Sequence, residues 1–156
     1  MFSHDTAGGL FINDVDALGK NTDRPNAQLY SILYWLENFR GEDGSFHLKL
    51  CYPEATGIGG SSCNEWIQSS NPATESTITG FRAKSLAFTK ANWESEWKGI
   101  GKSVSGKTLM DDAPTIGSYW TWIGAFSYFP YANPSDIPGP TNWPVTKVEL
   151  YVKHHI

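Results

Sequence analysis

The chain has 156 residues, of which 40% are hydrophobic and 18% charged, with sixteen acidic against twelve basic side chains. That is one domain's length, apolar enough for a core and too polar for a membrane protein. A net charge of −4 argues against a duplex-binding protein, which carries a basic stripe, and no apolar run is long enough to span a bilayer.

Residues 1–24 are rich in Gly, Asn and Asp around one apolar patch, Leu10-Phe11-Ile12, and read as a short strand followed by a loop. The start has neither a basic n-region nor an apolar h-region. It reads as cytosolic, as that of a mature chain, or as that of an excised domain. Asn13, Asp14, Asp16, Asn21 and Asp23 gather oxygens of the kind calcium takes. Asp14, Asp16 and Gly19 match the first, third and sixth positions of an EF-hand loop. Leu18 and Pro25 then stand where ligands belong, which excludes that motif. A solvated turn and helix cap is the default reading here. An irregular calcium site on Asp14, Asp16 and Asp23 is the alternative; no other cofactor is expected.

Residues 26–40 carry the helical pattern: Leu29, Ile32, Leu33 and Leu36 fall at i, i+3, i+4 and i+7 and predict one buried stripe. Thr22 or Asp23 can cap this helix, Pro25 suits its first turn, and Gly41 follows it. Tyr30, Tyr34 and Trp35 widen the apolar face, so the helix is expected to pack under loops as well as on a sheet.

Beyond it the period becomes two. Phe46, Leu48, Leu50 and Tyr52 alternate with His47, Lys49 and Cys51, which predicts a half-buried strand. Residues 53–62 form a Pro/Gly loop, and 64–70 a second strand. Residues 77–90 read as a long strand with a bulge at Gly80. Ser105-Gly106 sits between two short runs as a hairpin turn. Residues 118–129 form an aromatic strand, 130–144 an ordered loop with five prolines, and 145–153 a closing strand. Cys51 and Cys63 flank the Pro/Gly loop between two strands, and a disulfide between them is expected. The whole, 1–156, reads as a single mainly β domain: an antiparallel, jelly-roll-like β-sandwich with one α-helix near 26–40 on its flank.

Gly101-Lys102-Ser103-Val104-Ser105-Gly106-Lys107-Thr108 fits the phosphate-loop pattern, but the pattern works only after a buried strand and before a helix. Trp93-Glu94-Ser95-Glu96-Trp97-Lys98 before it is no buried strand, and Pro114 and Gly117 follow closely. A Gly-punctuated hairpin is the expectation. No nucleophile elbow, zinc-helix or deaminase motif occurs. His47 and Cys51 share a strand face too far apart to act as base and nucleophile, and Glu94 and Glu96 read as surface carboxylates. The protein is not expected to be an enzyme.

Tyr131, Asn133, Asp136, Asn142 and Trp143 bracket the proline-rich loop. Sugar recognition needs flat apolar faces beside amide and carboxylate acceptors, and this segment holds both. These five are the candidate ligand-binding residues. Trp93 and Trp97 offer a second patch; Trp120 and Trp122 are expected in the core.

The wording Asn64-Glu65-Trp66-Ile67-Gln68-Ser69-Ser70-Asn71-Pro72, followed by Thr79-Gly80-Phe81-Arg82-Ala83 and Ile137-Pro138-Gly139-Pro140, resembles extracellular modules of aquatic invertebrates, often embedded in larger secreted or surface proteins. The similarity runs from about Phe11 to Val152. It implies an extracellular place and a role in adhesion, matrix or recognition. It carries over no functional residue. The expected function is a secreted or cell-surface recognition module that binds a glycan or a protein, without nucleic acid and without membrane insertion. The alternative is a self-associating structural subunit of an extracellular matrix or filament.

Overall fold

The structure is a computed structural model that describes residues 1–8, 11, 14–88, 99–102, 110–111 and 147–155. Its strands are β1 Phe2–Asp5, β2 Leu29–Ser31, β3 Phe46–Cys51, β4 Cys63–Gln68, β5 Arg82–Leu86, β6 Gly101–Lys102, β7 Met110–Asp111 and β8 Lys147–Val152. Six of them form one sheet in the order β2-β1-β8-β3-β4-β5, with β6 and β7 paired apart. Every pairing is antiparallel. The mainly β, antiparallel expectation therefore holds; the described residues supply one sheet of the expected sandwich.

Side chains two apart on a strand share a face, and the register carries that alternation across the sheet. Leu50 faces Leu150 and Asn64, and Leu150 faces Phe2. Phe2, Phe46, Leu48, Leu50, Trp66, Val148 and Leu150 are all buried in one cluster on this inner face. Ser3, His47, Lys49, Glu65, Glu149 and Tyr151 take the opposite face.

The long α-helix expected over 26–40 is not there. The chain instead forms β2, then a 3-10 helix, Leu33–Phe39. The reason lies in the short strand expected within residues 1–24, which is β1 at Phe2–Asp5. β1 at the very start needs a neighbour, and Leu29-Tyr30-Ser31 supplies it. Ser31 also exchanges both backbone bonds with Lys20, which fastens the turn ahead of β2. In the 3-10 helix the buried positions recur every three residues, Leu33, Leu36 and then half-buried Phe39. Leu29, Leu33 and Leu36 are core as expected. Tyr34 and Trp35 are not packed under loops: they are 74% and 44% exposed and touch each other edge to face. The α-helix of the described chain is α1, Asp14–Leu18.

β3 and β8 sit where the two-residue period predicts, and β4 overlaps the strand expected over 64–70. The strand expected over 77–90 is shorter, only β5. Gly80 is not its bulge. It lies ahead of β5 with φ of 67°, and a Cβ there would stand 2.2 Å from the Ser69 Oγ. Glycine alone tolerates both conditions. The register instead shifts between Glu65 and Trp66, which leaves Lys84 as the extra residue on β5.

Cys51 and Cys63 are disulfide-bonded, as expected. They face each other across β3 and β4 with Cα atoms 4.1 Å apart. Tyr52 N–H donates to the Ser62 carbonyl just beyond them. That makes theirs the close, non-hydrogen-bonded kind of antiparallel pair, where facing side chains approach best.

Candidate functional site

Polar groups are distributed very differently on the two faces. On the inner face, β4 buries two carboxamides on either side of Trp66. The Asn64 amide donates to the Phe88 carbonyl at 2.7 Å, and its oxygen accepts the Phe88 N–H at 2.8 Å. The Gln68 amide donates to the Ile100 carbonyl at 2.8 Å, and its oxygen accepts the Ile100 N–H at 3.1 Å. The same oxygen takes the Trp66 indole N–H at 2.8 Å. Each carboxamide thus replaces a strand's backbone, holding a segment that is not in the sheet. Gly99 makes the second clasp fit, because a Cβ there would lie 2.7 Å from the Gln68 oxygen. Beside the clasp, Asn71 donates to Glu37 at 2.9 Å and accepts the Ala73 N–H at 2.9 Å. Arg40 binds Glu37 and the Gly44 and Ser69 carbonyls, with its guanidinium 4.3 Å from the Phe46 ring centre. The Glu37 carboxyl is held below its ordinary value, first by the Arg40 hydrogen bond. Asn64, Trp66, Gln68 and Asn71 of the wording that carries the resemblance are therefore scaffold.

The outer face is open. The cross-strand row Ser85, Glu65, Lys49, Tyr151 runs from β5 to β8. Tyr151 is 46% exposed. Its ring stands between two depressions. One, of about 210 Å³, is lined by His47, Lys49, Glu65 and Lys153; the other, of about 300 Å³, by Ser3, Asn26, Tyr30 and Glu149. The Tyr151 hydroxyl donates to Glu149 at 2.6 Å, which fixes the ring. Burial and the neighbouring carboxylate push the phenol up to about 12. Burial works to raise Glu149, but Tyr151 and Lys147 together hold it below its ordinary value. The His47 imidazole is lowered, first by burial, then by His155 and Lys153; Asp43 opposes this and Lys84 adds to it. The His47 and His155 rings meet edge to face at 5.1 Å. Asp43 itself is engaged by Ser45, whose hydroxyl donates at 2.7 Å and backbone N–H at 3.0 Å.

The sequence-predicted sites fare unevenly. Asp16 is ion-paired with Lys20 at 2.8 Å and Asp23 lies on the exposed surface beside Arg24; the Asp14 side chain lies outside the description. Among the described residues no cluster of His, Cys, Asp or Glu suits a metal. Tyr131, Asn133, Asp136, Asn142 and Trp143 lie outside the described residues, as do Trp93, Glu94, Glu96, Trp97, Trp120 and Trp122. Gly101 and Lys102 pair antiparallel with Asp111 and Met110; the rest of the phosphate-loop pattern, 103–108, lies outside the described residues. His47 faces outward as its alternation predicts. Tyr151, Lys49, Glu65 and Lys153 were missed. Their outward parity was legible; the adjacency of β8 to β3 was not. No protein-family model, curated protein or solved structure matches the chain. Among the described residues no helix is long and apolar enough to cross a membrane.

Proposed function

We propose that the protein is a non-catalytic recognition module of an extracellular or cell-surface setting, and that it binds carbohydrate on the outer face of its sheet. The observation that carries this reading is Tyr151, a half-exposed ring held in place by Glu149 and flanked by two polar depressions. A fixed flat ring gives a sugar an apolar platform at little entropic cost, and donors and acceptors on both sides give it orientation. The Cys51–Cys63 disulfide supports an oxidising compartment. The resemblance of the Asn64–Pro72 wording to extracellular modules points the same way.

A self-assembling matrix subunit is the competing reading, favoured by the exposed edge strand β5. Arg82, Lys84 and the bulge on that strand are, however, devices that discourage edge pairing. Glycan-array binding tests the choice. The expected result is selective glycan binding by a monomer, with Tyr151→Ala losing about tenfold in affinity at unchanged melting temperature, as for an exposed ring. Concentration-dependent polymers with no glycan signal would select the matrix subunit.

A further inference from the structure

We propose that the outer face reads an anionic polysaccharide, one bearing sulfate or uronate groups. This rests on the outer-face reading above and narrows its ligand. The argument begins with which cations are already neutralised. Lys20, Arg24, Arg40 and Lys147 each stand within ion-pair distance of a carboxylate. Lys49, Arg82, Lys84, Lys102 and Lys153 form no ion pair among the described residues, and all five are exposed.

Lys102 stands apart on β6; the other four are gathered together. Lys49 and Lys153 line the depression beside Tyr151. Lys153 N–H donates to the His47 carbonyl, and both Lys153 and Lys84 act electrostatically on His47. Arg82 faces Ile67, which faces His47, so it shares their side of the sheet. The cations therefore spread from β8 to β5, three strand spacings or about 14 Å. That is the reach of a few sugar units. Glu65 faces Lys49 across the ladder without forming an ion pair. Asp43, the other acid near His47, is engaged by Ser45.

An acidic protein that gathers four cations with no ion pair among the described residues on one face, around a fixed aromatic ring, concentrates attraction for negative charge there. Ammonium groups on flexible stems meet charges of irregular spacing without bidentate geometry. The ring supplies what charge alone does not, a stacking surface for the sugar between its anionic groups. Nucleic acid is the less fitting polyanion, because the disulfide favours an oxidising compartment.

Binding to immobilised heparin, polygalacturonate, neutral dextran and oligo-dT tests this, alongside a neutral glycan array. Heparin or polygalacturonate should bind, with affinity falling about tenfold between roughly 50 and 300 mM salt. The triple variant Lys49→Ala, Lys84→Ala, Lys153→Ala should lose about tenfold for those polymers. Lys20→Gln with Arg24→Gln, cations already paired, should change it less than about twofold. Lys49→Gln and Lys153→Gln singly stand in if the triple variant does not fold. Binding to neutral sugars alone would overturn the anionic assignment and leave the outer-face reading intact. No carbohydrate binding of any kind would overturn both. Oligo-dT bound as tightly as heparin, or heparin bound equally by wild type and triple variant, would also overturn the assignment.

Discussion

The two faces of the sheet treat polarity in opposite ways. On the inner face Asn64, Gln68 and Ser31 are fully buried, and each meets backbone partners: Phe88, Ile100 and Leu33. A buried amide left dry costs more than a made hydrogen bond returns, so such groups survive only when their bonds are complete. On the outer face Lys49, Arg82, Lys84 and Lys153 have water as an alternative and need no internal partner. The lesson is to judge a polar residue by its unsatisfied capacity. The inward amides of the Asn64–Pro72 wording, Asn64 and Gln68, have their capacity used up by the fold. Lys49 and Tyr151 are inconspicuous and keep theirs.

The contrast breaks most sharply at Trp66, whose ring is wholly buried between the two carboxamides. Trp66→Ala should destabilise by about 3–5 kcal/mol in chemical denaturation; a loss under about 1 kcal/mol would mean the inner face is not a packed core. Reducing the Cys51–Cys63 bond should come next, at about 3 kcal/mol for a loop of this length in the chain-entropy model. Two thiols titrated in the untreated native protein would refute that bond. Gln68→Leu keeps the volume and removes the clasp. It takes the Gln68 partner from the Ile100 N–H, the Ile100 carbonyl and the Trp66 indole, at about 1–3 kcal/mol for each group left dry. If Gln68→Leu proves neutral in the same assay, the clasp is ornamental.

What was legible beforehand divides along the same line. Period-two alternation reported β3 and β8 and their faces, because parity is local; 64–70 read as a strand without a face. Pairing partners are not local, and the largest error, the missing helix, traces to one. Residues 29–31 carry a helical spacing that β1 overrides by needing an edge partner. Asn64, Trp66 and Gln68 share one parity, so an inward Trp implied two inward amides; nothing in the spacing named Phe88 and Ile100 as their partners. Tyr151 joins Lys49 only because β8 inserts between β1 and β3.

Smaller effects belong to the outer face. Lys49→Ala should stay within about 0.5 kcal/mol of wild type, as surface changes do when no partner is lost. A larger destabilisation would show that Lys49 belongs to the scaffold after all.

The smallest and most informative effect concerns His47, where stability and binding should respond to pH in opposite directions. Burial, His155, Lys153 and Lys84 lower its imidazole, while Asp43 opposes them. A group whose folded pKa lies below its unfolded value binds fewer protons in the folded state. Its contribution to stability is therefore complete above the unfolded value, roughly 6.5, and is lost as pH falls through that value towards the lowered one. Melting temperature should drop slightly over that interval, and less in His47→Gln. In NMR titration His155→Gln should raise the His47 midpoint, since it removes a cationic neighbour; an unmoved midpoint would show that the two rings do not interact. Protonated His47 adds positive charge beside Lys153, so heparin should bind more tightly over the same interval. A site that gains affinity for anions as its fold loses stability is one where a half-buried imidazole becomes charged beside other cations, and a bound anion offsets that cost. If binding weakened together with stability, His47 would be part of the scaffold and not of the recognition surface.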